Sequence, residues 1–99
     1  MSGAIRQVMI TGRVQGVGYR AWVEERALAH DLEGWVRNRR DGTVEAVFAG
    51  EANAVEDTVA ACRKGSYASR VDGMEARDAS ADELALRGNG GKFAVLPTI

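Results

Sequence analysis

A glycine-rich stretch near the N-terminus stands directly before a run of helical character. It reads Gly12-Arg13-Val14-Gln15-Gly16-Val17-Gly18-Tyr19-Arg20. The first turn of a helix carries up to four backbone N–H groups without an intrahelical partner, and glycines let a backbone approach a ligand closely. Such a loop can cradle an anion. A tight turn that serves only the connection is the alternative, and a bare glycine-rich loop favours that alternative.

Arg20 favours the anion site over the plain turn. A cation at the start of a helix opposes the helix dipole by ~0.3–1 kcal/mol, and Glu24 follows in the less favourable order for an i,i+4 pair. A bound anion reverses this effect, because a guanidinium can grip two oxygens of a phosphate while the loop amides hold the others. A residue placed against local preference in this way indicates a functional site.

Asn38 is the second candidate, at the end of a predicted strand between Arg37 and Arg39. The simpler interpretation is a turn residue that bonds its own backbone. A neutral amide can also donate to and accept from a water molecule, so Asn38 could orient a nucleophile without a change of charge.

Hydrophobic periodicity predicts the elements that position these residues. Alternating apolar residues indicate strands, and apolar residues three or four apart indicate helices. The Asp41-Gly42 pair between two strand patterns predicts a hairpin turn. The predicted order is a strand over 4–12, a helix over 20–30, strands over 35–38 and 43–48, a helix ending before 65, a strand over 71–76 and a last strand over 93–95.

That order predicts an α+β fold of the ferredoxin-like βαββαβ type. Two helices pack on one face of an antiparallel sheet, and a C-terminal edge strand is added. Val71 and Met74 are three residues apart, so they share a face only if their strand carries a bulge. Residues 79–91 contain three glycines and are predicted to form a mobile connector.

Composition predicts one domain over residues 1–99. The chain is 45% hydrophobic and 27% charged with a formal net charge of −1, which is typical of a folded soluble module. It has no apolar run of roughly 18 residues and no signal-like start, so we expect a cytoplasmic protein that does not bind membranes. Cys62 and His30 are each the only residue of their type, which leaves no internal disulfide, and we expect no metal site and no cofactor.

Positive charge is concentrated around the two candidate sites. Residues 1–23 and 34–40 carry six arginines and no acid, whereas all fourteen acidic side chains lie elsewhere. This pattern suits a small anion and disfavours a nucleic acid, which the acidic remainder would repel. Arg37, Arg39 and Arg40 are predicted to form a solvated rim that could steer an anionic substrate towards Arg20.

The chain resembles the acylphosphatases in both signature stretches of that family, and the resemblance covers nearly the whole chain. The matching residues are the stretch from Gly12 to Arg20, Gly34-Trp35-Val36-Arg37-Asn38, and Asp41-Gly42-Thr43-Val44-Glu45. The resemblance implies the same sandwich fold. It also implies hydrolysis of a small-molecule acyl phosphate to a carboxylate and phosphate, without a metal or a covalent enzyme intermediate.

The resemblance assigns roles to individual residues. Arg20 would bind the phosphoryl oxygens and Asn38 would position the attacking water. The phosphate cradle would consist of Gln15, Gly16, Val17, Gly18, Tyr19 and Arg20. A carboxylate leaving group has a pKa near ~4, so it departs without a general acid.

The alternative is a non-catalytic module that binds an acyl or carbamoyl phosphate, or a ferredoxin-like interaction domain. The presence of both Arg20 and Asn38, and the lack of a linker at either end of the sequence, favour a free-standing enzyme, which we expect to be a monomer. The tail after Val95 lacks the arginine or tyrosine that the family often has there, so the anchoring of the last strand stays open.

Three other residue types have simpler explanations. His30 is predicted to be structural near a helix C-terminus, and Cys62 is predicted to be an inert buried thiol. The large aromatic residues are predicted to pack in or around the core, namely Trp22, Trp35 and Phe48.

Overall fold

The chain forms a five-stranded sheet covered on one face by two helices. We describe it from a computed structural model, which covers residues 3–89 and 91–99. The elements are β1 (Gly3–Arg13), α1 (Tyr19–Ala29), β2 (Glu33–Asn38), β3 (Val44–Glu51), α2 (Ala52–Lys64), β4 (Arg70–Asp78), α3 (Ala81–Leu84), a 3-10 turn (Ala85–Arg87) and β5 (Phe93–Val95). None of the helices in these residues is long and apolar enough to cross a membrane.

The strand order is β4-β1-β3-β2-β5, with antiparallel pairing between the first four neighbours. The predicted α+β sandwich with a C-terminal edge strand is confirmed. The direction of that edge strand differs, because β5 pairs parallel to β2. β4 lies at one edge of the sheet and β5 at the other, so the chain crosses the sheet between them. β5 then runs alongside β2 in the same direction.

Strand alternation separates a helix-facing surface of the sheet from an outer face. The helix-facing residues of β1 and β3 include Val8, Ile10 and Phe48, which are fully buried against α1 and α2. Their neighbours on the outer face include Gln7, Glu45 and Val47, because successive side chains of a strand point to opposite sides. The helix-facing side forms the hydrophobic core.

A bulge in β4 allows Val71 and Met74 to pack against the same core, as their spacing requires. Thr11 pairs with Gly73 and Gly12 pairs with Val71, so Asp72 is the extra residue. The backbone of β4 comes so close to Gly12 that a Cβ there would lie 2.2 Å from the Arg70 carbonyl oxygen. Glycine is therefore required at position 12.

The segment after β4 is not the connector that its glycines predict. Residues 81–87 form α3 and the 3-10 turn, and Ser80 begins α3 with a capping box. The Trp35 indole on the outer face donates a hydrogen bond to the Glu83 carbonyl oxygen at 2.8 Å. This segment covers Trp35, which would otherwise expose a large aromatic surface. The predicted connector also includes Gly90, which lies outside the described residues.

The C-terminal tail is held by backbone hydrogen bonds to β2 and to the β2–β3 hairpin. The Leu96 N–H donates to the Val36 carbonyl at 2.9 Å, and the Ile99 N–H donates to the Asn38 carbonyl at 3.2 Å. The Arg40 N–H in turn donates to the Ile99 backbone oxygen at 2.8 Å. These bonds extend the pairing with β2 beyond β5. They anchor the edge strand, whose attachment the sequence left open.

Candidate active site

A pocket of about 280 Å³ lies where α1 begins and β2 ends. It brings Arg20 and Asn38 together from different elements. The lining residues are Val14, Gly16, Gly18, Tyr19, Arg20, Ala21, Glu24, Asn38 and Val95. A larger, more open groove of about 700 Å³ lies against the opposite ends of β1 and β3, but the described residues that line it include no basic side chain. The smaller pocket, which both Arg20 and Asn38 line, is the candidate for an anionic substrate.

The backbone amides at the start of α1 have no hydrogen-bond acceptor among the described residues. Gly18 occupies the N-cap position in the left-handed region and gives no side-chain cap, and the first turn holds no acidic residue. The first intrahelical bond runs from the Trp22 N–H to the Gly18 carbonyl at 3.1 Å. Gly16 and Gly18 have φ of +74° and +78°, with open space where a Cβ would lie. These glycines serve the backbone conformation rather than a close approach.

Gln15 ties the loop to the β2–β3 hairpin. Its side-chain amide donates to the Arg39 carbonyl at 2.7 Å and to the Thr43 carbonyl at 2.8 Å. Gln15 and Val17 do not line the pocket, and Val17 packs against the core instead. The remaining residues of the predicted cradle, namely Gly16, Gly18, Tyr19 and Arg20, do line it.

Arg20 is a half-buried residue in the first turn of α1. It enters none of the ion pairs formed among residues 3–89 and 91–99, and neither does Glu24 on the next turn. The positive charge of Arg20 is therefore available to a ligand in the pocket.

Asn38 is the last residue of β2, and only 9% of it is exposed. Its side-chain Oδ1 has no hydrogen-bond partner in the described part of the chain. Its backbone carbonyl is occupied by the Ile99 N–H. A buried polar atom without a partner is rare in folded proteins and calls for an explanation. The simple turn interpretation, in which the side chain bonds its own backbone, does not account for it.

Glu45 forms a buried charge network that sequence reasoning missed. Its carboxylate is on the outer face, 9% of the residue is exposed, and it accepts hydrogen bonds from Gln7 at 3.0 Å, Arg37 at 2.9 Å and Arg39 at 2.8 Å. Burial raises the pKa of Glu45, but these three hydrogen bonds outweigh burial and hold the pKa below its usual value. The predicted solvated rim is therefore wrong for Arg37, whereas the Arg39 side chain is 34% exposed and Arg40 is exposed. The alternation of residues along the strand around Glu45 was the sequence signal that could have revealed this network.

Tyr19 joins the start of α1 to the end of α2. Its hydroxyl donates to the Cys62 carbonyl at 2.8 Å, and burial raises the pKa of Tyr19 well above its ordinary value. Burial also raises the pKa of the Cys62 thiol to about 12, which agrees with the prediction of an inert buried cysteine. His30 lies outside the pocket, with Nδ1 2.8 Å from the Arg26 carbonyl. Trp35 and Phe48 are buried, and Trp22 packs against Tyr19, so all three aromatic predictions are confirmed.

Metal ligands are not grouped in the part of the chain that the structure describes. No three His, Cys, Asp or Glu side chains among those residues come close enough together to hold a metal ion. The polar groups available at the pocket are backbone amides, the Arg20 guanidinium, the Asn38 side-chain amide and the Glu24 carboxylate on the next turn of α1.

Comparison with known proteins identifies the family. A family model described as acylphosphatase matches residues 6–89. The chain belongs to the acylphosphatase family. An acylphosphatase from Bradyrhizobium diazoefficiens is 67% identical over 99 residues, and one from Rhodopseudomonas palustris (strain BisB18) is 56% identical over 99 residues, each covering the whole of both chains. The family predicted from the signature stretches is thus confirmed.

Solved acylphosphatases share the fold. The enzyme from Bacillus subtilis superposes with a TM-score of 0.80 at 33% identity and covers 93% of this chain and 97% of its own. The enzyme from Coxiella burnetii gives a TM-score of 0.82 at 26% identity, covering 95% and 93%. The same fold makes up 12% of full-length HypF, which covers 98% of this chain at a TM-score of 0.82 and 25% identity. As a member of the acylphosphatase family, the chain is a hydrolase of acyl phosphates.

Proposed function

We propose that Arg20 and the amides of residues 15–20 hold the phosphoryl group of the acyl phosphate while Asn38 orients the attacking water. The observation that carries this mechanism is the buried, unpartnered Oδ1 of Asn38 in the same pocket as Arg20. A water held there satisfies that oxygen, and its own oxygen can face a phosphorus bound at the start of α1.

The phosphate cradle combines three sources of positive potential. The first-turn amides of α1 are free, the helix dipole is positive at that end, and the Arg20 guanidinium has no competing ion pair among the described residues. Phosphoryl transfer needs mainly positioning and stabilisation of charge on the equatorial oxygens. A guanidinium fork and a ring of amides supply both.

Backbone hydrogen bonds hold Asn38 in a fixed position, from which its side chain can orient a water molecule. It ends β2, pairs with Val44 in β3, and accepts from Ile99 in the tail, so its backbone is bonded on both sides of the strand. A water that is held close to the reacting atom converts a bimolecular step into an effectively unimolecular one. The amide needs no change of charge to do this.

The reaction balances without a general acid. The water oxygen forms a bond to phosphorus, the bond from phosphorus to the acyl oxygen breaks, and the electron pair leaves on the carboxylate. A carboxylic acid has a pKa near ~4, so this group departs as an anion. The water's proton passes to an oxygen of the substrate's own phosphoryl group.

The proposal also covers the domain organisation, oligomeric state, location and substrate class of the enzyme. The 99 residues act as one catalytic domain, as a monomer in the cytoplasm, on small-molecule acyl phosphates rather than nucleic acid. The concentration of arginines near the pocket within an acidic chain supports a small anionic substrate. The exposed large hydrophobic residues lie on separate elements, for example Leu28 on α1 and Leu86 in the 3-10 turn, which supports a monomer. Light scattering after gel filtration measures the oligomeric state, and a stable dimer contradicts the monomer.

Hydrolysis of benzoyl phosphate in buffer with a metal chelator tests the mechanism. The series compares the wild type with Arg20→Ala and Asn38→Ala, and it includes Arg63→Ala, which removes an exposed arginine in the last turn of α2. We expect both site variants to lose roughly 10²-fold or more in kcat, the typical loss when one preorganised group is removed. Arg63→Ala should retain the wild-type kcat.

Inhibition by inorganic phosphate separates the two roles. Arg20→Ala should weaken phosphate binding, because the guanidinium contacts the phosphoryl oxygens. Asn38→Ala should leave phosphate binding nearly unchanged, because the water matters only in the reaction. Equal loss of phosphate affinity in both variants contradicts this division. Phosphate binding by a folded wild type without turnover contradicts the catalytic mechanism and supports a binding role.

A further inference from the structure

The Glu45 carboxylate lies on the outer face of the sheet, away from the pocket, yet it is one of the most elaborately bonded groups in the described chain. It is buried and receives side-chain hydrogen bonds from Gln7, Arg37 and Arg39. Keeping a buried carboxylate ionised requires such partners, because desolvation otherwise disfavours the charge. The proposed mechanism does not use this network directly.

Arg37 and Arg39 bond the same oxygen of Glu45 but hold different parts of the chain. Arg37 lies within β2, directly opposite Glu45 in the strand ladder, and stacks over the Trp35 ring at 4.7 Å. Strand pairing already fixes its backbone. Arg39 lies beyond the last residue of β2, in the hairpin, where its side-chain bond to Glu45 adds a restraint that the ladder does not supply.

The backbone of Arg39 connects the hairpin to the phosphate loop. Its carbonyl accepts from the Gln15 side chain at 2.7 Å, and its N–H donates to the Thr43 carbonyl at 2.9 Å. Arg39 also directly follows Asn38. Arg39 therefore contacts the loop through the Gln15 side chain and adjoins the water-binding amide through the chain itself.

We propose that Glu45 is a positioning residue for hydrolysis, which acts through Arg39 to fix the part of the hairpin that places Asn38. This inference rests on the proposed function, because it requires Asn38 to orient the water. Neither Glu45 nor Arg39 lines the pocket. The Arg39 side chain is bonded to Glu45 on the outer face of the sheet, and its backbone adjoins Asn38 in the pocket.

Asn38 is sensitive to such a restraint because its Oδ1 has no partner within the described protein. The position of this oxygen therefore follows the backbone of Asn38, which the neighbouring hairpin and the tail hold. Misplacement of a reacting group by about 1 Å can cost on the order of 10²-fold in rate. A smaller shift of the hairpin predicts a fall in kcat of roughly 10-fold, whereas Arg20 and the amides of α1 keep their positions.

The test measures kcat and KM for benzoyl phosphate and inhibition by inorganic phosphate in Arg39→Ala, Arg37→Ala, Glu45→Gln and the double variant Glu45→Gln/Arg39→Ala. Arg37→Ala is the matched control, since it removes a hydrogen bond to the same Glu45 oxygen. Each alanine variant leaves Glu45 one arginine and Gln7 as donors, so neither leaves an unpaired buried carboxylate. Thermal unfolding of each variant identifies a temperature at which all are folded.

We expect Arg39→Ala to lower kcat roughly 10-fold and Arg37→Ala to change it less than about 2-fold, with inhibition by phosphate nearly unchanged in both. The double variant should lose no more kcat than the more affected single variant, because both changes break one path. Arg39→Lys should recover part of the loss, since an ammonium can still reach the carboxylate. A purely structural role does not predict this split between kcat and inhibition by phosphate.

Three results overturn the proposal. One is an equal effect of Arg37→Ala and Arg39→Ala on kcat, another is an independent, multiplicative loss in the double variant, and the third is a wild-type kcat in Arg39→Ala. The Asn38→Ala variant in the same series separates a failure of this inference from a failure of the proposed function. If Asn38→Ala is inactive while Arg39→Ala is fully active, this inference alone fails. If Asn38→Ala is fully active, the proposed function fails and this inference fails with it.

Discussion

The buried hydroxyl of Tyr19 should stabilise the fold measurably, because it supplies the hydrogen bond that the end of α2 lacks. It donates to the Cys62 carbonyl at 2.8 Å. In a continuing helix that carbonyl would accept from the Ser66 N–H, but this amide donates to the Ser69 hydroxyl oxygen at 2.8 Å instead. Tyr19→Phe therefore removes one hydrogen bond and leaves a buried acceptor unpaired.

The size of the effect follows from burial. Tyr19 is 1% exposed, so water cannot replace the lost hydroxyl without a change in packing. A typical hydrogen bond contributes about 1 kcal/mol, and an unpaired buried acceptor brings the loss to about 1–3 kcal/mol. The phenyl ring of the variant keeps the contact with Trp22, whose ring centre lies 5.4 Å away. In a domain of this size, we expect Tm to fall by roughly 5–15 °C.

Urea denaturation of Tyr19→Phe and Tyr67→Phe measures this effect with a matched control. Tyr67 is fully exposed in the loop after α2, so its hydroxyl should contribute less than about 0.5 kcal/mol. A Tyr19→Phe variant as stable as Tyr67→Phe refutes the reasoning, since a buried hydrogen bond would then contribute nothing.

The same hydroxyl makes stability depend on alkaline pH. Burial raises the pKa of Tyr19 above its ordinary value of 10.0, so the folded state retains a proton that the unfolded state releases. This contribution is complete below pH 10 and decreases as the pH rises above it. The stability of Tyr19→Phe should therefore decline less between pH 9.5 and 11 than that of the wild type. An identical decline in both proteins contradicts the assignment.

The remaining predictions concern the buried thiol and one close approach in the sheet. Because burial raises the pKa of the Cys62 thiol to about 12, the folded protein should resist the thiol reagent DTNB at pH 8 and react with it only when unfolded in urea; rapid labelling of the native protein contradicts this. Gly34→Ala should destabilise the fold by on the order of 3 kcal/mol or more, because φ is +145° and the new Cβ would lie 1.8 Å from the Val47 carbonyl oxygen. Gly42→Ala, also at positive φ but with open space around it, should cost only about 1–2 kcal/mol in the same denaturation assay, and equal losses at the two positions contradict the clash argument.

Local patterns allowed most of the elements to be predicted. The alternation around Val8 and Ile10 predicted β1 as a strand, and the Asp41-Gly42 pair marked the β2–β3 hairpin. The spacing of Val71 and Met74 required the bulge that β4 contains. Each of these features depends on residues close together in the chain, where backbone geometry and side-chain period act directly.

Three features were missed, and each depends at least in part on contacts between residues that are distant in the sequence. The parallel direction of β5 depends on the route that the chain takes from one sheet edge to the other. The folding of residues 81–87 depends on Trp35, which this segment covers, although the Ser80 and Glu83 capping pair was a local signal that went unused. In the Glu45 network, Arg37 and Arg39 lie in the same hairpin as Glu45, and only the third donor, Gln7, comes from a distant strand.

The sequence by itself determined the composition of the candidate site. A glycine loop with free amides, the cation of Arg20 at a helix start, and the neutral amide of Asn38 are properties of residue type and local position. Tertiary structure decided which of them meet. Folding the sheet places the end of β2 beside the start of α1, so Arg20 and Asn38 share one pocket, and it turns Gln15 towards the hairpin instead. The physical reason is that local geometry sets the direction of each side chain, whereas burial of a common core sets the distances between them.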